Sequence, residues 1–255
     1  GITAAALLTD TIRRLGGASE AFMPDRMTEG YGLTSRALAR VLQAHPARLL
    51  VTVDCGINSV AEVAQAREAG LDVIITDHHE PGAVLPEACA LVNPRLGATA
   101  GAEHLCGAGV AFKLAHALLK IGRQEGHAES ESCDIRTWLD AVAVATVADV
   151  VPLVGENRVL VTSGLSLLAK RPRPGLRALM HRTGIQGPPT SHHLAFLLGP
   201  RLNAAGRMRT GWPALRLLHA SDWDEALRLA IELEGLNAER RGVEARIVAA
   251  ARRQC

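Results

Sequence analysis

The sequence predicts an α/β fold: a mostly parallel sheet flanked by helices, followed by a helical region and a long C-terminal connecting helix. Three observations carry this expectation. Two apolar, β-rich runs, Leu49-Leu50-Val51-Thr52-Val53 and Leu71-Asp72-Val73-Ile74-Ile75-Thr76, are separated by one helical stretch with short connections, which implies a parallel strand-helix-strand unit with a right-handed crossover. Beyond Gly107 the pattern turns helical. From Asp222 to about Arg253 it is amphipathic and rich in Arg and Glu, as one long helix or two in tandem.

Residues 2–15 (ITAAALLTDTIRRL) place Ala5, Leu8, Ile12 and Leu15 at helical spacing and stop at Gly16-Gly17. A short extended piece is expected around Ala21 to Met23, then a polar loop and a helix from about Thr34 to Gln43. The first apolar run suits a strand buried on both faces and ends at Asp54. A helix from about Ser59 to Ala69 closes at Gly70, the second run ends at Asp77, and a further short strand is expected at Ala90-Leu91-Val92. Helices follow at about 108–121, 136–147, 157–169 and 175–182, separated by the polar or Gly/Pro-rich stretches 122–132, 170–175 and 186–190. This organises the chain as an α/β core (1–121), a mainly helical remainder (122–220) and a long helix (221–255).

Composition excludes a membrane span, because no apolar stretch reaches about 18 residues without charge, and Gly1-Ile2-Thr3-Ala4 lacks a signal's basic flank. The five cysteines are odd in number, scattered and without a CxxC pair, so a reducing cytoplasm is the simplest setting. Net charge is only +2, which does not by itself mark a nucleic-acid binder. Of 28 basic residues only Lys113, Lys120 and Lys170 are lysines; arginine forks suit phosphate, although coding bias gives the same enrichment. The absence of an initiator Met, and an apparent helix running to Cys255 without a stop signal, suggest a piece of a longer protein.

Asp77-His78-His79 directly follows the second strand, and Asp54 directly follows the first, so both lie at the carboxyl ends of neighbouring strands, where open α/β sheets bind ligands. Imidazole and carboxylate together suit Mn²⁺, Zn²⁺ or Fe²⁺; the alternative is a helix-capping Asp beside two partly exposed histidines. Asp149 interrupts the apolar run AVAVATVADVVPLV. A carboxylate there must cap a helix, pair with a buried arginine or ligate a metal. In Gly199-Pro200-Arg201-Leu202-Asn203-Ala204-Ala205-Gly206-Arg207, small residues permit close approach and Arg201, Asn203 and Arg207 offer donors to an anionic substrate, or the arginines simply pair with surface acids. Ser191-His192-His193 lacks a strand-end carboxylate and is read as structural, as are His45, His104, His116, His127, His181 and His219.

Together these segments resemble the DHH phosphoesterase superfamily, and more closely its RecJ exonuclease branch. The matching segments run in the family's order from Gly1 to about Val248: GITAAALL, RMTEGYGL (26–33), VTVDCG around Asp54, IITDHHEP around Asp77, LCGAGVAFKL (105–114), VADVVPL around Asp149, GPRLNAAGRM (199–208) and LNAERRGVEARIV (236–248). The resemblance implies Mn²⁺- or Mg²⁺-dependent hydrolysis of single-stranded DNA from the 5′ end to mononucleotides, in recombination and repair. Asp54 would bridge two ions, His78 and Asp149 would be further ligands, Asp77 would orient a histidine, and His79 would face the scissile phosphate. Arg201, Asn203 and Arg207 would hold a phosphate or the terminal nucleotide. Two cations sharing the charge of attacking and leaving oxygens give the arrangement its logic.

The resemblance also implies what this chain lacks. The family's Asp-x-Asp motif would precede Gly1, and its C-terminal DHH-associated domain would follow Cys255. The chain alone is therefore expected to hold one metal weakly and to have little or no nuclease activity. A helicase or single-strand-binding protein fits the implied setting, although no motif here speaks for either. Two other readings are a phosphodiesterase of short oligonucleotides or small nucleotides, which the RecJ-like segments disfavour, and a catalytically dead replication scaffold. Decay of the latter kind would also have eroded Asp54, His78 and Asp149.

Overall fold

A computed structural model describes residues 1–44, 46–97 and 101–254; His45 and Cys255, both touched by the expectations above, lie outside the described residues. Three strands, β1 (Leu49–Val53), β2 (Asp72–Thr76) and β3 (Ala90–Val92), form a parallel sheet in the order β1-β2-β3. The register pairs Leu49 with Asp72 and Val53 with Thr76, and Thr76 with Val92. The carboxyl ends of all three strands are therefore level. Asp54 N–H continues the ladder to the Thr76 carbonyl at 2.8 Å, and Asp77 N–H to that of Val92 at 3.0 Å.

Helices α1 (Ile2–Arg14), α2 (Ser35–Ala44) and α3 (Val60–Glu68) accompany the sheet. Leu38, Val63 and Ala66 from α2 and α3 meet Leu71, Val73 and Ile75 in a small core on one face. Val51, Val53 and Val92 back onto the larger core on the other. Alternation along β2 sends Val73 and Ile75 together into the first of these cores. The expected two-faced burial of β1 is corrected: only Thr52 of its five residues is buried, and Leu49 is 48% exposed. The reason is positional, since β1 is an edge strand whose whole length lines an open cleft.

The larger core is helical. It joins α1 to α4 (Gly107–Gln124), α6 (Leu139–Ala148), α7 (Gly155–Lys170), α8 (Pro174–Arg182), α10 (Gly199–Met208), α11 (Trp212–His219) and α12 (Trp223–Arg252), while the short α5 (Ala128–Ser132) and α9 (Ser191–His193) lie outside it. The last is one continuous helix, started by Asp222, whose side chain accepts from Glu225 N–H at 2.9 Å. Ala21 to Met23 forms no strand; the nearest pairing is an isolated Asp25–Thr210 bridge. Helices α5, α9, α10 and α11 were not anticipated. No helix among the described residues is long and apolar enough to cross a membrane.

Candidate metal centre

Among the described residues only two non-glycines have positive φ, Asp54 (61°) and Val150 (60°). Such a conformation is uncommon for aspartate and a real outlier for β-branched valine. Each costs about 1–3 kcal/mol and persists only where its surroundings hold it. One is a candidate ligand, and the other directly follows Asp149, which caps the C-terminus of α6. The backbone is bent at both places so that carboxylates from a strand end and a helix end reach one point.

His78 Nε2 is that meeting point, 2.9 Å from Asp54 Oδ1 and 3.4 Å from Asp149 Oδ2. Both Asp54 Oδ1 and His78 Nε2 are buried, yet neither is aligned for a hydrogen bond. Buried polar atoms without partners are rare, and these two face each other. Donors around one cation at about 2.1 Å sit about 3.0 Å apart in an octahedral shell and about 3.4 Å apart in a tetrahedral one. The residues therefore fit a divalent ion. Donor atoms of Asp54, His78 and His79 also lie within 4.8 Å of one another.

The charges agree with this. Burial pushes the Asp54 carboxyl up, but the Gly1 ammonium against Oδ2 and His78 against Oδ1 outweigh it and hold the group below the usual carboxylate range. Burial lowers His78, and the Asp54 carboxylate more than restores it, so the imidazole sits above its ordinary value. Asp149 is raised by burial and by the like charge of Asp54. The first residue of α4 lies so close that a Cβ on Gly107 would fall 2.2 Å from Asp54 Oδ1. Glycine is required there, and the positive end of α4 faces the carboxylate.

Asp77 has a different task. It is 1% exposed. Its Oδ2 accepts from Ile57 N–H at 3.0 Å, and its Oδ1 from the His78 and His79 amides at 2.8 and 3.3 Å. The same Oδ1 lies 2.7 Å from His79 Nδ1, which leaves the half-exposed ring's Nε2 as its free nitrogen. At the third strand end, Asn93 donates to the His79 carbonyl at 2.9 Å. All three strand ends thus act on the Asp77-His78-His79 turn.

A cleft of about 1240 Å³ opens along β1 and includes Asp54, Asp149, Asn203 and Arg207 in its lining. Arg201 does not join them. Its Nη1 donates to the Leu197 carbonyl at 2.8 Å and its Nη2 lies 3.5 Å from Glu234. The 199–208 stretch is helix α10, entered through a π-helical turn over Leu194–Leu198. Residues 203 and 207 share a face of a helix, whereas residue 201 lies on the opposite side. His193, read as structural, accepts from Thr190 N–H within a capping box.

Sequence reasoning missed Arg26 and Tyr31, which also line the cleft, with the guanidinium 4.6 Å from the ring centre. Partial desolvation and the nearby Asp54 charge push the phenol of the largely exposed Tyr31 up to about 12. The signal was present, since this is the chain's single tyrosine and it sits between Gly30 and Gly32, both at positive φ.

Comparison with known proteins identifies the relatives. The sequence pattern described as "DHH family, N-terminal domain" matches residues 1–146. The single-stranded-DNA-specific exonuclease RecJ of Bacillus subtilis is 43% identical over 242 residues, covering 94% of this chain and 29% of that protein. The Escherichia coli protein of the same name is 40% identical over 251 residues, covering 96% and 43%. The chain thus spans less than half the length of these curated relatives. A crystal structure of exonuclease RecJ bound to manganese matches all of this chain and 63% of its own, at TM-score 0.87 and 37% identity. The Thermus thermophilus RecJ complex with Mn²⁺ matches at TM-score 0.81 and 36% identity, covering 98% of this chain and 35% of its own.

Proposed function

Because this chain belongs to the DHH family, we propose that it is the metal-holding part of a single-stranded-DNA-specific exonuclease that releases mononucleotides from the 5′ end, in recombination and repair. The observation that carries this is the convergence of Asp54 Oδ1, His78 Nε2 and Asp149 Oδ2 without hydrogen-bond alignment between Asp54 and His78. The names of the relatives, and the manganese in the matched crystal structures, support the same reading.

Asp54, His78 and Asp149 would hold Mn²⁺ or Mg²⁺. Bound divalent ions would supply positive charge against the attacking and leaving oxygens of the phosphodiester. Asp54 would contribute its carboxylate, whose Oδ1 stands 2.9 Å from His78 Nε2. Asp77 fixes the His79 ring through Nδ1, so that Nε2 can meet a non-bridging phosphate oxygen with little reorganisation. Asn203 and Arg207 present donors from one face of α10 to the phosphate that the metal ligands cannot orient. The Arg26–Tyr31 pair offers a cation-backed aromatic surface on which a base can stack without regard to sequence. Arg201 has no place in this substrate set. The scattered free cysteines Cys55, Cys89, Cys106 and Cys133 suit a cytoplasmic setting, where a helicase or single-strand-binding protein would supply or organise the strand.

The test compares a long 5′-labelled single strand with a dinucleotide, in Mn²⁺, using a polypeptide that supplies the rest of the relatives' length. Mononucleotide release from the long strand, with slow turnover of the dinucleotide, is expected. Preference for the dinucleotide would move the assignment to a small-nucleotide phosphodiesterase, and no turnover of either would favour a scaffold. The 255-residue chain alone should release little, because three ligands on one side make an incomplete shell.

A further inference from the structure

Asp149 reaches His78 from the end of α6, and Gly107 rests on Asp54 from the start of α4. Neither position is set by the sheet. Each is joined to an irregular segment, 150–154 after Asp149 and 101–106 before Gly107. One side chain touches both. Asn157, in the first turn of α7 and 1% exposed, donates from its single Nδ2 to the His104 carbonyl at 2.6 Å and to the Pro152 carbonyl at 2.9 Å. Both amide hydrogens are thereby used.

The neighbouring contacts act in the same direction. Glu156 N–H donates to the Gly101 carbonyl at 3.0 Å, and its carboxylate pairs with Lys113 of α4 at 2.9 Å. Gly155, at φ 52°, lies so close to the first segment that a Cβ would meet the Gly101 oxygen at 2.6 Å. The strained Val150 sits inside the segment that Asn157 tethers, and strain of that kind lasts only where the surroundings over-determine it. The Asn157 carbonyl oxygen is buried without a partner. The residue therefore bears a cost in order to make two donations, and an acceptor in its place could make neither.

We infer that Asn157 is a positioning residue for the metal centre: its amide clamps the 101–106 and 150–154 segments together and so fixes Asp149 and Gly107 around Asp54 and His78. Its effect on metal affinity rests on the reading above, whereas the clamp itself does not. Outer partners of this kind are worth about 10–100-fold in metal affinity.

The test uses Asn157→Asp, which keeps the shape and turns a donor towards two carbonyls into an acceptor. Amide hydrogen exchange of the 255-residue chain should quicken at least tenfold in 101–106 and 150–154 while Leu160 to Leu168 stays protected. The Mn²⁺ dissociation constant, followed by the spin resonance of the free ion, should rise about 10–100-fold. Asn157→Ser, which can keep one of the two donations, should fall between and serves where the Asp variant does not fold. Unchanged exchange in the two segments would overturn the inference, as would an equal quickening through all of α6 and α7, the mark of a merely structural role. If the unaltered chain binds no Mn²⁺, the metal reading fails, and the exchange pattern still decides the clamp.

Discussion

Asp54→Asn should abolish Mn²⁺ binding by this chain while leaving its thermal midpoint within a few degrees of the unaltered protein. The first half follows from where the carboxylate stands. Asp54 Oδ1 is 2.9 Å from His78 Nε2, so the carboxylate already points at a metal-binding group. Losing a partner outside the ligand shell costs about 10–100-fold in affinity, and losing a charged ligand from inside it should cost more than that. The second half follows from the backbone. Asparagine tolerates the left-handed region at least as well as aspartate, so the strain at φ 61° is not increased. The buried carboxylate, with its desolvation cost, is removed together with its ion pair. Calorimetric Mn²⁺ titration beside a thermal melt reads both. A variant that still binds Mn²⁺ within tenfold would show that Asp54 is not a ligand, and a large drop in midpoint would show that its role is structural.

The second large effect is far from the site. Arg173→Ala should destabilise the fold by about 3–5 kcal/mol, because it strands a buried carboxylate. Arg173 caps α8, and its backbone N–H and Nε donate to the two oxygens of Asp140 at 3.0 and 2.9 Å, on a carboxylate 1% exposed. Its Nη1 and Nη2 reach the Leu218 and Thr137 carbonyls, both at 2.9 Å, and its guanidinium lies 3.8 Å from the centre of the Trp138 ring. Trp138 in turn donates to Asp10 of α1 at 2.8 Å. One side chain thus ties α8, α6, α11 and the turn before α6, with α1 attached through Trp138. The expected fall in midpoint is on the order of 10 °C, measured by calorimetry. Asp140→Leu combined with Arg173→Met should recover part of it, since removing both charges avoids the unpaired one. A fall of only a degree or two for Arg173→Ala would show that the ion pair is incidental.

The difference between these two sites explains what the sequence disclosed. Asp54 and Asp77 were legible because strand ends announce themselves, and a short parallel crossover forces neighbouring strand ends together. The structure adds the register, with Val53 opposite Thr76. Asp149 was legible as an acid interrupting an apolar run, although the structure leaves it partly exposed, and its meeting with His78 depends on how α6 packs, which no local pattern encodes. The same holds for Arg173, which stands in a stretch read as a separator, and for Asn157, an ordinary residue near a helix start. The 199–207 segment was read for its donors and given no secondary structure. Gly199-Pro200 and Gly206 imitate a loop, but Pro is tolerated in a helix's first turn, and Gly199 is there because a Cβ would press on Ala148 at 2.7 Å. Reading it as a helix would have separated Arg201 from Asn203 and Arg207. The edge position of β1 was hidden for a related reason, since an apolar run does not say whether its outer side is covered.

The account's central claim is that Asp54, His78 and Asp149 share one divalent cation, and its most direct test is anomalous scattering from crystals of this chain grown with Mn²⁺. The account predicts a manganese peak within coordination distance, about 2.2 Å, of Asp54 Oδ1 and His78 Nε2, with Asp149 the nearest further carboxylate. A well-ordered site with no peak at millimolar Mn²⁺, or a peak held by other residues while His78 hydrogen-bonds directly to Asp54, would contradict it.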